Sequence, residues 1–272
     1  MITPNSMEAS KSPSLAKQLF NKVPEVTIYF WVIKVLCTTV GETFSDFLDG
    51  KFNLGTANLA YIFGGLLLIV LFFQFKKKKY VPGIYWLAVV LVSVVGTLIT
   101  DNLTDNLGIS LVTTTIVFGI ILAIVFAVWY GVEKTLSIES IDTWGREAFY
   151  WVTILFTFAL GTAGGDLLAE KFSLGYLISA AIFFGVILLI SAGHYWLKLN
   201  KVLAFWLIYI LTRPLGASFG DLLSQAKSDG GLGLGPTTTS IIFLAAILIL
   251  VVFLTITKKD VTPPEKVLTE QN

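Results

Sequence analysis

Four times in this chain a tryptophan is followed ten residues later by glycine and fifteen residues later by aspartate. The sets are Trp31/Gly41/Asp46, Trp86/Gly96/Asp101, Trp151/Gly161/Asp166 and Trp206/Gly216/Asp221. Each Trp follows an aromatic residue (Phe30, Tyr85, Tyr150, Phe205), and each Asp precedes a Leu by two positions. The copies begin 55, 65 and 55 residues apart, which makes two halves offset by 120. Repetition at this period means a fold assembled from one supersecondary unit. Every copy also lies in a strongly apolar segment. Lipid satisfies no backbone polar group, so spanning segments must be helices, and an acid among them must face protein or a wet cavity.

The chain is 55% apolar and 14% charged, with mean hydropathy +0.81, which is membrane composition. A bilayer core about 30 Å thick needs about 20 apolar residues per helix. Eight segments qualify: 26–48, 56–75, 82–103, 109–130, 147–168, 174–193, 202–223 and 237–257. The expected fold is all-α: a polytopic membrane protein of eight spans in four two-helix repeats, grouped as two four-helix halves. Residues 1–25 read as a cytoplasmic tail, 26–130 as the first half, 131–146 as a cytoplasmic linker, 147–257 as the second half and 258–272 as another tail. Short turns ending in Leu-Gly join the spans of each repeat, and the fourth turn is longer and glycine-rich. One flank holds Lys11, Lys17, Lys22, Lys76 to Lys79, Lys134, Arg146, Lys198, Lys201, Lys258, Lys259 and Lys266, and the other only Lys51, Lys171 and Lys227. That asymmetry places both termini in the cytoplasm.

With each Trp at the cytoplasmic interface, a rise of about 1.5 Å per residue puts the Gly near the midplane and the Asp in the outer third. The tryptophans Trp31, Trp86, Trp151 and Trp206 then read as interface anchors. Gly41, Gly96, Gly161 and Gly216 read as close helix crossings. Asp46, Asp101, Asp166 and Asp221 fall at one depth and form a candidate ion site, with Glu42 as an added ligand or proton carrier. Lys34 and Arg213 are the cations well inside spans. Each reads as a charge partner for a buried acid, or as a tethered cation competing with a transported one. Asp101 and Asp166 have no such cation on their own helices, which makes them the first candidates for direct metal ligands. Pro214 beside Arg213 frees a backbone carbonyl. Thr113 to Thr115 and Thr237 to Thr239 could add hydroxyl ligands. His194 reads as a helix-terminal histidine.

These four tandem repeats of two spans, each with its tryptophan, resemble the bacterial integral membrane family built from a repeat of unknown function. The resemblance covers about 30–257, and Trp31, Trp86, Trp151 and Trp206 match the family's tryptophan one by one. It implies a bacterial inner (plasma) membrane protein and supplies no activity, so function rests on the site.

Carboxylates, hydroxyls and backbone carbonyls suit small, hard cations: a divalent metal, Na⁺ or H⁺. The sequence therefore points to a cation transporter with the repeated Asp residues as its site. The alternative is a non-transporting membrane module, an assembly or sensor protein with structural carboxylates. An enzyme is not expected, because the chain has no His-rich, G-x-S-x-G or P-loop motif and no large soluble domain. Its expected partners are the lipid bilayer and a small inorganic cation. No cofactor or nucleic acid is expected, and a homo-oligomer is left open. All four repeats enter the membrane from one side, so they should be related by an axis along its normal.

Overall fold

The computed structural model describes residues 20–52 and 54–261. Lys11, Lys17 and Lys266, and most of both expected tails, lie outside these residues. The described residues form eight long helices and no strand: α1 (Ile28–Phe52), α2 (Thr56–Phe75), α3 (Pro82–Asp101), α4 (Leu111–Glu133), α5 (Trp144–Asp166), α6 (Gly175–Trp196), α7 (Lys201–Ser224) and α8 (Pro236–Thr257). Local chemistry starts and stops them. Pro82 and Pro236 open α3 and α8, where a missing N–H costs nothing. Ser110, Thr143 and Asn200 cap α4, α5 and α7 through side-chain oxygens. The glycines of the four Leu-Gly turns (Gly55, Gly108, Gly175, Gly235) all take positive φ, between 66° and 78°.

Seven helices are long and apolar enough to cross a membrane. The exception is α1, which is of similar length but carries Lys34, Glu42, Asp46, Asp49 and Lys51. The odd-numbered helices form a closed ring, in which α1 packs on α3, α3 on α5, α5 on α7 and α7 back on α1. The even helices form an outer layer. Each packs mainly on the odd helix of the following repeat: α2 on α3, α4 on α5, α6 on α7 and α8 on α1. The two spans of one repeat barely touch, and the last repeat docks on the first. The result is a cyclic arrangement of four.

Burial separates the layers. Of the most apolar stretch of α3, 72% is buried, against 17% for α4. The outer faces expose residues such as Tyr61, Leu68, Leu189 and Ile249. Apolar surface on this scale is stable only against lipid or another apolar surface. The polar groups are turned inward, as a bilayer requires.

The lysine-rich end is closed by chain segments. Glu25 N–H donates to Asp260 O (3.0 Å), Tyr80 N–H to Asn21 O (2.9 Å) and Lys22 N–H to Ile141 O (2.9 Å). Beneath them Lys22 Nζ pairs with Glu147 at 2.6 Å, and Gln74 donates to the other Glu147 oxygen at 3.0 Å.

Candidate functional site

The repeat signature builds the ring in layers. At the basic end, the aromatic residues preceding the tryptophans (Phe30, Tyr85, Tyr150, Phe205) are all buried, and the Tyr85 and Tyr150 hydroxyls are hydrogen-bonded at 2.5 Å. The tryptophans correct the expectation of interface anchors. Trp86, Trp151 and Trp206 are buried in the aromatic core, and only Trp31 is partly exposed. Two of their indoles hydrogen-bond to connecting segments at the basic end. Trp206 Nε1 donates to Leu136 O (2.9 Å), and Trp86 Nε1 donates to Tyr80 Oη (3.1 Å), whose hydroxyl donates to Asp260 (2.6 Å).

One turn deeper, Lys34 is fully buried. Its Nζ donates to Tyr209 O at 3.0 Å and lies 4.2 Å and 4.8 Å from the ring centroids of Tyr209 and Phe158. It pairs with no acid among the described residues.

The glycines lie where neighbouring helices meet. A Cβ on Gly41 would stand 1.8 Å from Ser93 Oγ, on Gly96 2.9 Å from Phe158 Cβ, on Gly161 2.4 Å from Arg213 Cγ, and on Gly216 1.8 Å from Thr38 Oγ1. Ser93, Phe158, Arg213 and Thr38 occupy one repeat position, seven residues after the Trp. Each glycine therefore receives the equivalent residue of the next repeat, and the fourth receives that of the first. Hydroxyls add a second crossing: Thr100 donates to Ala159 O at 3.2 Å, and Thr39 to Gly216 O at 3.1 Å.

Above the glycines lies Arg213, fully buried. Its Nη2 donates to Glu42 Oε2 (2.9 Å), to Thr162 Oγ1 (2.7 Å) and to Thr97 Oγ1, while Nη1 donates to Thr38 O at 3.4 Å. Its acid partner is thus on the facing helix α1. Thr97 and Thr162, each eleven residues after its Trp, thus both serve this guanidinium.

The acids follow. Carboxylate oxygens of Glu42, Asp166 and Asp221 lie within 4.8 Å of one another. Asp46 sits beside this trio, but its Oδ2 accepts from Gln225 Nε2 at 3.0 Å. Asp101 interacts electrostatically with Glu42, Asp166, Asp46 and Asp105 without joining the tight trio. Of the two acids expected to lead the site, Asp166 lies in the trio with Glu42 and Asp221, and Asp101 lies outside it beside Asp166. The chain turns π-helical immediately after Asp101 and Asp166, at Asn102–Asn106 and Leu167–Lys171. Such turns widen a helix and frequently mark functional positions. The hydroxyls of Thr114, Thr115 and Thr239 each donate to a carbonyl one turn back on their own helix. His194 Nδ1 lies 2.8 Å from Leu199 O at the end of α6.

Five carboxylates (Glu42, Asp46, Asp101, Asp166, Asp221) thus face one another, with one guanidinium among them. Each charged pair within the trio would repel by on the order of 3 kcal/mol at an effective dielectric of about 20. The site can hold its acids ionised only with added positive charge. Its donor set, oxygen alone, fits hard cations.

The model of the family described as Repeat of Unknown Function (DUF347) matches residues 29–80, 84–135, 149–200 and 204–260. No curated protein and no solved structure matches.

Proposed function

The chain belongs to the family built from this repeat, and we propose that its ring is a transporter of small, hard cations across the bacterial inner membrane. The carrying observation is the Glu42–Asp166–Asp221 trio, three carboxylates within 4.8 Å of one another inside the helix bundle. Asp46 and Asp101 complete the cation-attracting wall. All eight helices span the bilayer in this reading, with the lysine-rich end in the cytoplasm. The meeting of Glu25 with Asp260 supports an even number of crossings.

The filled axis favours a carrier over an open pore. Arg213, Lys34 and the Tyr85/Tyr150 layer are buried side chains between the acids and the basic end. A cation reaching the trio from the acidic end therefore stops above Arg213. Onward movement requires the guanidinium to leave Glu42, a rearrangement that the tight glycine crossings tie to helix sliding.

The test is binding and flux with Na⁺, Mg²⁺, Ca²⁺ and Mn²⁺. At least one should raise the thermal stability of the purified protein and enter proteoliposomes saturably. Asp166→Asn and Asp221→Asn should each lose both responses while still folding. Unchanged responses in both variants would leave a non-transporting module with structural carboxylates.

A further inference from the structure

We infer that the counter-ion of this transport is the proton and that Lys34 is the group that carries it. This rests on the cation-site reading above. Lys34 lies on the axis of the ring, two turns of α1 towards the basic end from Glu42. Unlike Lys22 and Arg213, it forms no ion pair among the described residues, and one carbonyl and two ring faces hold its Nζ. A fully buried ammonium so held keeps its charge only while the acids above supply uncompensated negative charge. Arg213 cannot take this part, because a guanidinium does not release its proton in proteins.

The groups facing Lys34 leave it as the exchangeable one. They are Cys37 on α1 and Tyr209 and Arg213 on α7, while Tyr85 on α3 and Tyr150 on α5 lie behind them, against Cys37 and Tyr209. Helix α8, also packed on α1, carries no ionisable side chain from Pro236 to Thr257. When a cation enters the trio, its charge replaces that of the ammonium in balancing the acids. Lys34 Nζ then gives one proton to water on the side from which the cation entered and keeps the nitrogen lone pair. Release of the cation on the opposite side is accompanied by uptake of a proton by Lys34 from that side. A monovalent cation exchanges with no net charge moved, and a divalent one with a net gain of one.

Two variants bracket the states of the amine: Lys34→Met is always neutral, and Lys34→Arg is always charged. The affinity of the purified full chain for NaCl and MnCl₂ is measured by thermal stabilisation across pH, and proton movement by a dye trapped in proteoliposomes. In the wild type, each proton coupled to binding changes affinity by up to about tenfold per pH unit. Both variants should lose one proton's share of that slope. Lys34→Met should bind cation more tightly than Lys34→Arg, and each should release one proton fewer than the wild type when cation is added. If Lys34→Arg does not fold, Lys34→Met carries the test alone, since Met fills the site without charge. A wild-type slope and wild-type proton movement in the variants would overturn the proposal and leave the cation site standing. A wild-type protein with no cation response would overturn both.

Discussion

Replacing Arg213 by Met tests the architecture of the site at its most costly contact. Met keeps the methylenes that pack on Gly161, where a Cβ would lie 2.4 Å from Arg213 Cγ. It removes the guanidinium. Glu42, 6% exposed, then loses its 2.9 Å ion pair while Asp166 and Asp221 stay within 4.8 Å. Breaking one side of a buried pair costs about 3–5 kcal/mol, because the remaining charge is uncompensated. The threonines add little, since the Thr97 and Thr162 hydroxyls already donate to Ser93 O and Phe158 O. Adding Glu42→Gln removes the orphan charge, so the double variant should recover to within about 2 kcal/mol of the wild type. Unfolding followed by tryptophan fluorescence in mixed micelles gives both values, and the double-mutant cycle should show coupling above about 2 kcal/mol. A loss below about 1 kcal/mol in Arg213→Met, or no recovery in the double variant, would refute the axial ion pair.

Gly41→Ala, whose Cβ would meet Ser93 Oγ at 1.8 Å, should cost about 1–3 kcal/mol by overpacking. Gly64→Ala, with nothing within 4 Å, should be neutral or stabilising, and Ser93→Gly should rescue Gly41→Ala in the same unfolding assay. Burial holds the Asp260 carboxyl above the usual carboxylate range, outweighing the hydrogen bond from Tyr80. The folded state therefore keeps a proton that the unfolded chain releases near about pH 4. This contribution to stability is present below that pH and lost as pH rises through the folded value. The melting temperature of the wild type minus that of Asp260→Asn should accordingly fall as pH rises over that window, and a flat difference would count against it.

Much of this protein was legible because a repeat states its own geometry. The Trp, Gly and Asp spacing located the odd helices and put their acids at equivalent positions. What the sequence could not give was which helix meets which. The four-residue spacing of Thr162 and Asp166 puts both on one helix face but does not show that Thr162 meets Arg213 from the next repeat. The tryptophans misled for a related reason: an amphipathic ring near a helix end suits the interface and suits an aromatic core equally. One available signal went unused. Eleven residues after each Trp stand Glu42, Thr97, Thr162 and Ala217, polar in three of four repeats, and these are the positions that line Arg213.

The positions where the repeats differ explain how a fourfold scaffold carries a single site. All four keep glycine at the crossing, where the next repeat's side chain packs, and aspartate five residues further on. Three, seven and eleven residues after the Trp, the side chains project towards the axis, and there each layer holds one charge: Lys34 among Val89, Ile154 and Tyr209; Arg213 among Thr38, Ser93 and Phe158; Glu42 among Thr97, Thr162 and Ala217. The other three residues of each layer are uncharged, so each layer brings its one charge against hydroxyls, rings or apolar groups rather than against a like charge from a neighbouring repeat. Divergence at these layers also stacks the three charges in the order amine, guanidinium, carboxylate, leading from the basic end to the acid trio.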